Sequence, residues 1–203
     1  MCGRYTLTAS NKSDLSSLDF NVPDRYNIAP HSDVLVETRL DGFRLMPWSL
    51  SPSWAGTPMH LFNARLETLD EKPSFKGSLR CVFMADGWYE WQRSTNDKQP
   101  WYHHREGELM RFAGVYHPSS GCAIVTTAAQ PAIEHIHHRQ PVLLTAQTAA
   151  TWLASAPAAE CVTDYAVAFH RVSNQVNNAR VDSPELPLPT QDSAFLDPQG
   201  TLF

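Results

Sequence analysis

Asp41-Gly42 separates two runs rich in apolar and β-favouring residues, DVLVETRL at 33–40 and FRLMPWSL at 43–50. A two-residue spacer of this kind predicts a β-hairpin closed by a type I′ turn, because both residues tolerate the positive φ that the turn demands. Further strand-like runs lie at 81–91, 110–116, 122–127 and 165–172, each rich in β-branched or aromatic side chains. Helical stretches are expected near 12–19, 66–77, 131–137 and 146–155; Thr145 would cap the last, and Pro157 follows its end. These elements alternate too irregularly for a doubly wound sheet, and the sequence has no glycine-rich phosphate-binding motif or solenoid repeat. The expected architecture is α+β: a single β-rich domain over residues 1–190, its antiparallel sheets forming a barrel-like core flanked by short helices. The proline-rich stretch from about residue 183 reads as an extended segment, draped over the domain or mobile, that ends in a C-terminal tail at 191–203.

Composition narrows the partners. With 42% hydrophobic residues in 203, the chain can bury one substantial core. Its net charge of -5 gives no overall attraction to a polyanion, so any nucleic-acid binding must rest on a local basic patch. The four cysteines, Cys2, Cys81, Cys122 and Cys161, lack CxxC spacing. They read as reduced thiols rather than a zinc ribbon or redox pair. No signal peptide is evident and no run approaches the roughly 18 apolar residues of a membrane span. A cytoplasmic protein without membrane contact, metal, nucleotide or other cofactor is expected.

Four segments hold residues suited to chemistry. If Met1 is removed, Cys2 carries a thiol and a free α-amine on one residue, with ordinary pKa values of about 8.5 and about 8. Such a pair attacks carbonyl carbon: an aldehyde gives an imine that the thiol closes into a five-membered thiazolidine, and an amide is attacked by the thiol with the amine as base. Equally, Cys2 reads as a small buried residue near a chain end. In Asn63-Ala64-Arg65-Leu66-Glu67-Thr68, Asn63 and Arg65 point the same way if the segment is extended; otherwise Asn63 is a helix N-cap and Arg65 a surface ion-pair partner. Glu90, set among aromatics in ADGWYEW (85–91), reads as a desolvated proton acceptor or partner of an N-terminal amine, or as an edge glutamate. His137, in HHRQP (137–141), suits proton donation near a phosphate better than metal binding. His103-His104 reads as surface, Trp48 and Trp101 as core, and Trp54 as a candidate for base stacking.

Taken together, MCGRY (1–5), RYNIAP (25–30), WSLSPSW (48–54), NARLET (63–68), ADGWYEW (85–91), IVTTAA (124–129), HHRQP (137–141) and VNNARVDSPEL (176–186) resemble the SOS-response-associated peptidase family, in family order and over most of the length. The resemblance implies a β-rich domain that binds single-stranded DNA and captures abasic sites. Cys2 would form a thiazolidine crosslink with the ring-opened sugar, shielding the lesion in the DNA damage response. Peptidase-like self-cleavage and lyase-type activity come with the family. By position, Asn63 would orient the amine or sugar, Glu90 would hold or deprotonate the amine, and His137 would protonate the sugar ring oxygen. Arg4, Arg65 and Arg139 match phosphate-contacting arginines, while Pro30, Trp54 and Thr126 match positions lining the DNA path. The resemblance also implies a monomer that joins the nucleoid during DNA damage. Ser49, Ala55, Pro73 and Gln140 depart from the family pattern.

Two other classes compete. An N-terminal-nucleophile hydrolase of the glutamine amidotransferase kind explains Cys2 but not NARLET or the Glu90 and His137 segments. A noncovalent reader of single-stranded DNA would bind reversibly and survive Cys2→Ala.

Overall fold

The structure, a computed structural model, describes residues 2–52, 54–93, 98–163 and 166–190. Its strands in chain order are β1 (Arg4–Leu7), β2 (Arg25–Ile28), β3 (Asp33–Thr38), β4 (Gly42–Pro47), β5 (Asn63–Arg65), β6 (Leu79–Ala85), β7 (Gly87–Arg93), β8 (Lys98–His104), β9 (Met110–His117), β10 (Gly121–Ala128), β11 (Arg139–Pro141), β12 (Leu143–Leu144) and β13 (Ala168–Arg171). One sheet runs β13-β8-β7-β1-β2 and the other β11-β10-β9-β6-β3-β4, with β12 added on β9 and β5 on β10. Every pairing is antiparallel except β5 with β10. The β-rich α+β architecture is as expected, although neither sheet path closes on itself among the described residues.

Aromatic side chains join the sheets. Tyr5, from β1, meets the rings of Trp48, Phe83 and Phe112 edge-on at 5.4, 6.4 and 6.3 Å, and Trp88, from β7, meets Phe112 at 5.8 Å. These T-shaped contacts are the arrangement that ring quadrupoles prefer, and all five rings are buried. Trp48 and Trp101 belong to this core as expected, while Trp54 is 60% exposed.

The run at 81–91 is two strands. Ala85 ends β6 in one sheet and Gly87 begins β7 in the other, so the chain changes sheets at Asp86. Asp86 is held there by its own N–H to the Thr6 carbonyl at 2.8 Å, and its Oδ2 accepts from Thr8 N–H and Oγ1, both at 2.7 Å. At Gly87 a Cβ would lie 2.3 Å from the His103 carbonyl oxygen and 2.7 Å from the Tyr102 ring. Glycine is required by this close approach of β8 rather than by its φ.

The hairpin forms between β3 and β4, with a different turn. Thr38 pairs with Gly42, leaving Arg39–Asp41 as the loop, and only Gly42 has positive φ, at 66°. A type I′ turn would need positive φ at Asp41 as well; instead, Asp41 N–H donates to Thr38 Oγ1 at 3.1 Å. The helix expected near 146–155 is α1 (Ala146–Leu153), with Thr145 and Thr148 in a reciprocal capping box. The other three expected helices shrink. Only Ser13–Leu15 and Leu66–Thr68 form single 3-10 turns, and 131–137 is a series of turns. Pro73 and Gly77, the latter at φ 77°, prevent a longer helix after Leu66. A short helix, α2 (Ala158–Cys161), follows α1. Residues 183–190 are packed on the domain, with Leu186 buried; the expected tail at 191–203 lies outside the described residues.

His103 overturns the surface reading. It lies on β8, 1% exposed, with its ring stacked on Trp88 at 4.7 Å. Burial, opposed by a hydrogen bond to the Trp88 carbonyl, pushes its pKa down from 6.5 to about 3. His104 and His170 are lowered by burial as well.

Two outcomes follow for stability. Gly87→Ala should cost about 3 kcal/mol, because a carbonyl in a central ladder cannot step aside; a melt should fall by roughly 6–12 °C. For His103 the unfolded chain binds a proton below about pH 6.5 while the folded chain refuses it down to about pH 3. Stability should therefore be fully present above pH 6.5 and fall progressively as the pH is lowered through that window. Melts of wild type and His103→Gln between pH 7 and pH 4 should show a shallower decline for the variant.

Candidate active site

The site forms where β1, β5 and β7 meet the turn before β11. Arg4 pairs with Tyr89 in the β1–β7 ladder, and Cys2, two residues before Arg4, lies near enough to Glu90 for that charge to act on its thiol. Cys2 is 1% exposed. Asn63 reaches it from β5, which is fixed by parallel pairing with β10: Asn63 Nδ2 donates to the Cys2 carbonyl at 2.9 Å. The segment is extended, so Asn63 is no helix cap. Its Oδ1 is buried and has no hydrogen-bond partner among the described residues, leaving an open acceptor beside Cys2.

Glu90 sits mid-strand on β7 opposite Trp101 and is 4% exposed. His137 Nδ1 lies 3.6 Å from Glu90 Oε1. The same nitrogen accepts the Arg139 N–H at 3.0 Å and lies 3.2 Å from the Arg139 carbonyl. The Arg139 carbonyl and Glu90 Oε1 are the acceptors nearest this nitrogen. Burial pushes the Cys2 thiol pKa well above its ordinary value, and the Glu90 charge raises it further. The thiol is therefore protonated at rest, with the Arg4 carbonyl 3.8 Å away as a weak acceptor.

A turn-rich segment, 130–138, delivers His137. Ile133 and Ile136 bury their side chains, Gln140 Oε1 accepts from Gln130 N–H at 2.8 Å, and Gln92 Nε2 donates to the His135 carbonyl at 3.3 Å. Gln140 thus ties the start of the segment to β11, and Gln92 holds its middle. The role of Gln140 was not readable from spacing, because the partner is a backbone N–H ten residues away.

The six other candidates differ in exposure and in what they bond. Arg4 is half-buried, its Nη1 donating to Asn27 Oδ1 at 2.9 Å and to the Val176 carbonyl at 2.8 Å. Thr126 has no exposed surface, and its Oγ1 donates to the Ala64 carbonyl at 3.3 Å. Arg139 bonds the Thr126 carbonyl at 2.6 Å and both carboxylate oxygens of Glu67. Arg65 is exposed at the end of β5, in register with Thr126. Pro30 is partly exposed at the turn after β2. Trp54 is exposed, its Nε1 donating to the Pro73 carbonyl at 3.3 Å. Glu67 carried no role in the sequence reading, and the pairing with Arg139, 72 residues away, left no local signal. Among the described residues no group of three His, Cys, Asp or Glu side chains is placed to hold a metal.

In sequence the chain is similar to abasic site processing protein YoqW of Bacillus subtilis, 32% identical over 92% of this chain and 98% of the relative. It is likewise similar to abasic site processing protein YedK of Escherichia coli, at 30% over 92% and 98%. Abasic site processing protein HMCES of Gallus gallus is 32% identical over 72% of this chain and 57% of that one. A solved protein from Bacteroides thetaiotaomicron shares the fold with a TM-score of 0.74 at 21% identity, covering 93% of this chain and all of that one. A phage-related protein from Bordetella bronchiseptica aligns with a TM-score of 0.69 at 26% identity, over 85% and 95%. The SOS response associated peptidase (SRAP) profile matches residues 1–179, and with the YoqW and YedK identities it shows that the chain belongs to that family.

Proposed function

We propose that this chain is an abasic-site processing protein that binds single-stranded DNA and captures the lesion covalently through Cys2 once Met1 is removed. The names of its bacterial and vertebrate relatives support abasic-site processing. The observation that carries the chemistry is the convergence at Cys2: Asn63 2.9 Å from its carbonyl, and the Glu90 and His137 pair at 3.6 Å, all in one largely buried site.

An abasic sugar is mostly a closed hemiacetal, so capture begins with ring opening. His137 protonates the ring oxygen as the C1–O bond breaks, and the hemiacetal hydroxyl loses its proton to give the aldehyde. The Cys2 amine, deprotonated by Glu90, adds to the aldehyde carbon, and loss of one water leaves an imine. The thiol then adds to the imine carbon, its proton passing to nitrogen, and the thiazolidine closes. Amine first and thiol second is the order that the buried thiol favours, since its raised pKa leaves little thiolate to attack unaided. Holding all these groups beside one residue converts each step to an intramolecular one. The same amine and thiol would serve the family's self-cleavage, with the thiol attacking an amide.

Intact mass spectrometry after incubation with an abasic oligonucleotide should show the protein without Met1, plus the oligonucleotide, minus one water. The adduct should survive heating and disappear with Cys2→Ala, and its absence from the correctly processed wild type would sink the proposal. His137→Ala should slow adduct formation by roughly 10²-fold, the lower end for general acid catalysis, while the same end point is eventually reached. Glu90→Gln should slow capture at the amine step. Wild-type rates for His137→Ala would remove it as the acid.

A further inference from the structure

Glu67 and Arg139 form a paired fork, Nη1 to Oε1 at 2.6 Å and Nη2 to Oε2 at 2.9 Å. The partners are unequal. The Arg139 side chain is 11% exposed and the Glu67 side chain 49%. Arg139 Nη2 also donates to the Thr126 carbonyl at 2.6 Å, and its backbone N–H holds His137, so the guanidinium is fixed to β10 and β11. Glu67 lies in the short 3-10 turn after β5, and its carboxylate, apart from Arg139, takes a backbone hydrogen bond within Glu67 itself, which ties it to no other element. The hydrogen bond to Arg139 is the largest cause of its pKa lying below the ordinary glutamate value. Glu67, the more exposed partner, is the one placed to swing toward solvent.

A carboxylate and a phosphodiester present the same feature to a guanidinium: two anionic oxygens spaced to accept two parallel N–H groups. We propose that Glu67 is a phosphate stand-in that occupies the Arg139 fork in the free protein and is displaced by a backbone phosphate of the bound strand. This rests on the reading that single-stranded DNA is the ligand. In the exchange Arg139 gives up one anion and takes another, so the contact adds little net affinity for an undamaged strand. Arg65, two residues before Glu67 and itself a contributor to its lowered pKa, is the cation left for the displaced carboxylate. Glu67 is thereby a specificity-determining residue. It limits noncovalent binding and leaves stable retention to the covalent step beside His137.

Fluorescence anisotropy with a short lesion-free single-stranded oligonucleotide tests this directly. Glu67→Gln should bind about fivefold more tightly, the size of an exposed bidentate ion pair. In an Arg139→Gln background the same substitution should change affinity less than about twofold. An unchanged or weakened affinity for Glu67→Gln would overturn the proposal, and so would an equal gain in both backgrounds, which would mark a general charge effect. The unmutated protein supplies a second reading should Arg139→Gln not fold. The Glu67 carboxyl resonance, followed by carbon-13 NMR, should titrate below the ordinary range when free and move up on binding the oligonucleotide. A midpoint that stays low in the complex would also overturn it. Adduct formation on abasic DNA is scored separately by mass, so failure of capture and failure of the Glu67 exchange give different results.

Discussion

The short ladder between β1 and β7 is what the site depends on. Chain ends usually fray, because few contacts repay the entropy of ordering them. Here Tyr5 inserts between the two sheets, Arg4 is bonded to Asn27 and to the Val176 carbonyl, and Asn63 takes the Cys2 carbonyl. Each contact comes from a different part of the chain. Together they bury Cys2 just before β1, whose Arg4 is in register with Tyr89 of β7. The half-buried Arg4 guanidinium, its pKa lowered by desolvation, is in this light a fold-determining group at least as much as a ligand for phosphate.

β7 also brings a carboxylate into the core. A buried glutamate is costly unless charges or hydrogen bonds compensate it, and His137 at 3.6 Å is one such group. The arrangement has two chemical consequences. Under the function proposed above it supplies the acceptor for the Cys2 amine proton, and it disfavours thiolate formation at Cys2. A site built for thiolate attack would lower the thiol pKa with a nearby cation. This one raises it, through burial first and the Glu90 charge second.

Much of this was legible in residue order, for identifiable reasons. The β-rich class followed from β-branched and aromatic runs, and α1 from Thr145 and Pro157, because these signals are local. Asn63 and Arg65 share a face because β5 is extended, as one of the two readings of their spacing required. The misses are where tertiary contacts override local pattern. The 81–91 run looks continuous, yet Thr6 and Thr8 capture Asp86 and turn the chain into the other sheet. His103 looks polar in sequence, but the rings of Trp88 and Phe169 enclose it. The 131–137 stretch has a helical apolar spacing, but its isoleucines serve to anchor a turn segment that Gln140 closes.

The charges set how such a protein can hold DNA. The chain carries a net charge of -5, so long-range attraction to a strand is unfavourable and must be reversed locally. Of the three arginines in question, Arg4 is engaged by Asn27 and Val176, and Arg139 by Glu67 and Thr126, while Arg65 is exposed. Under the function proposed above, noncovalent binding through so few phosphate contacts would have a shallow salt dependence and modest affinity. A protein that gripped every single strand tightly would be sequestered by undamaged DNA, since lesions are rare. Under the function proposed above, weak electrostatic sampling followed by covalent capture of an aldehyde would separate search from capture. On this view the fold invests its buried polar contacts in positioning Cys2 and His137 rather than in gripping the backbone.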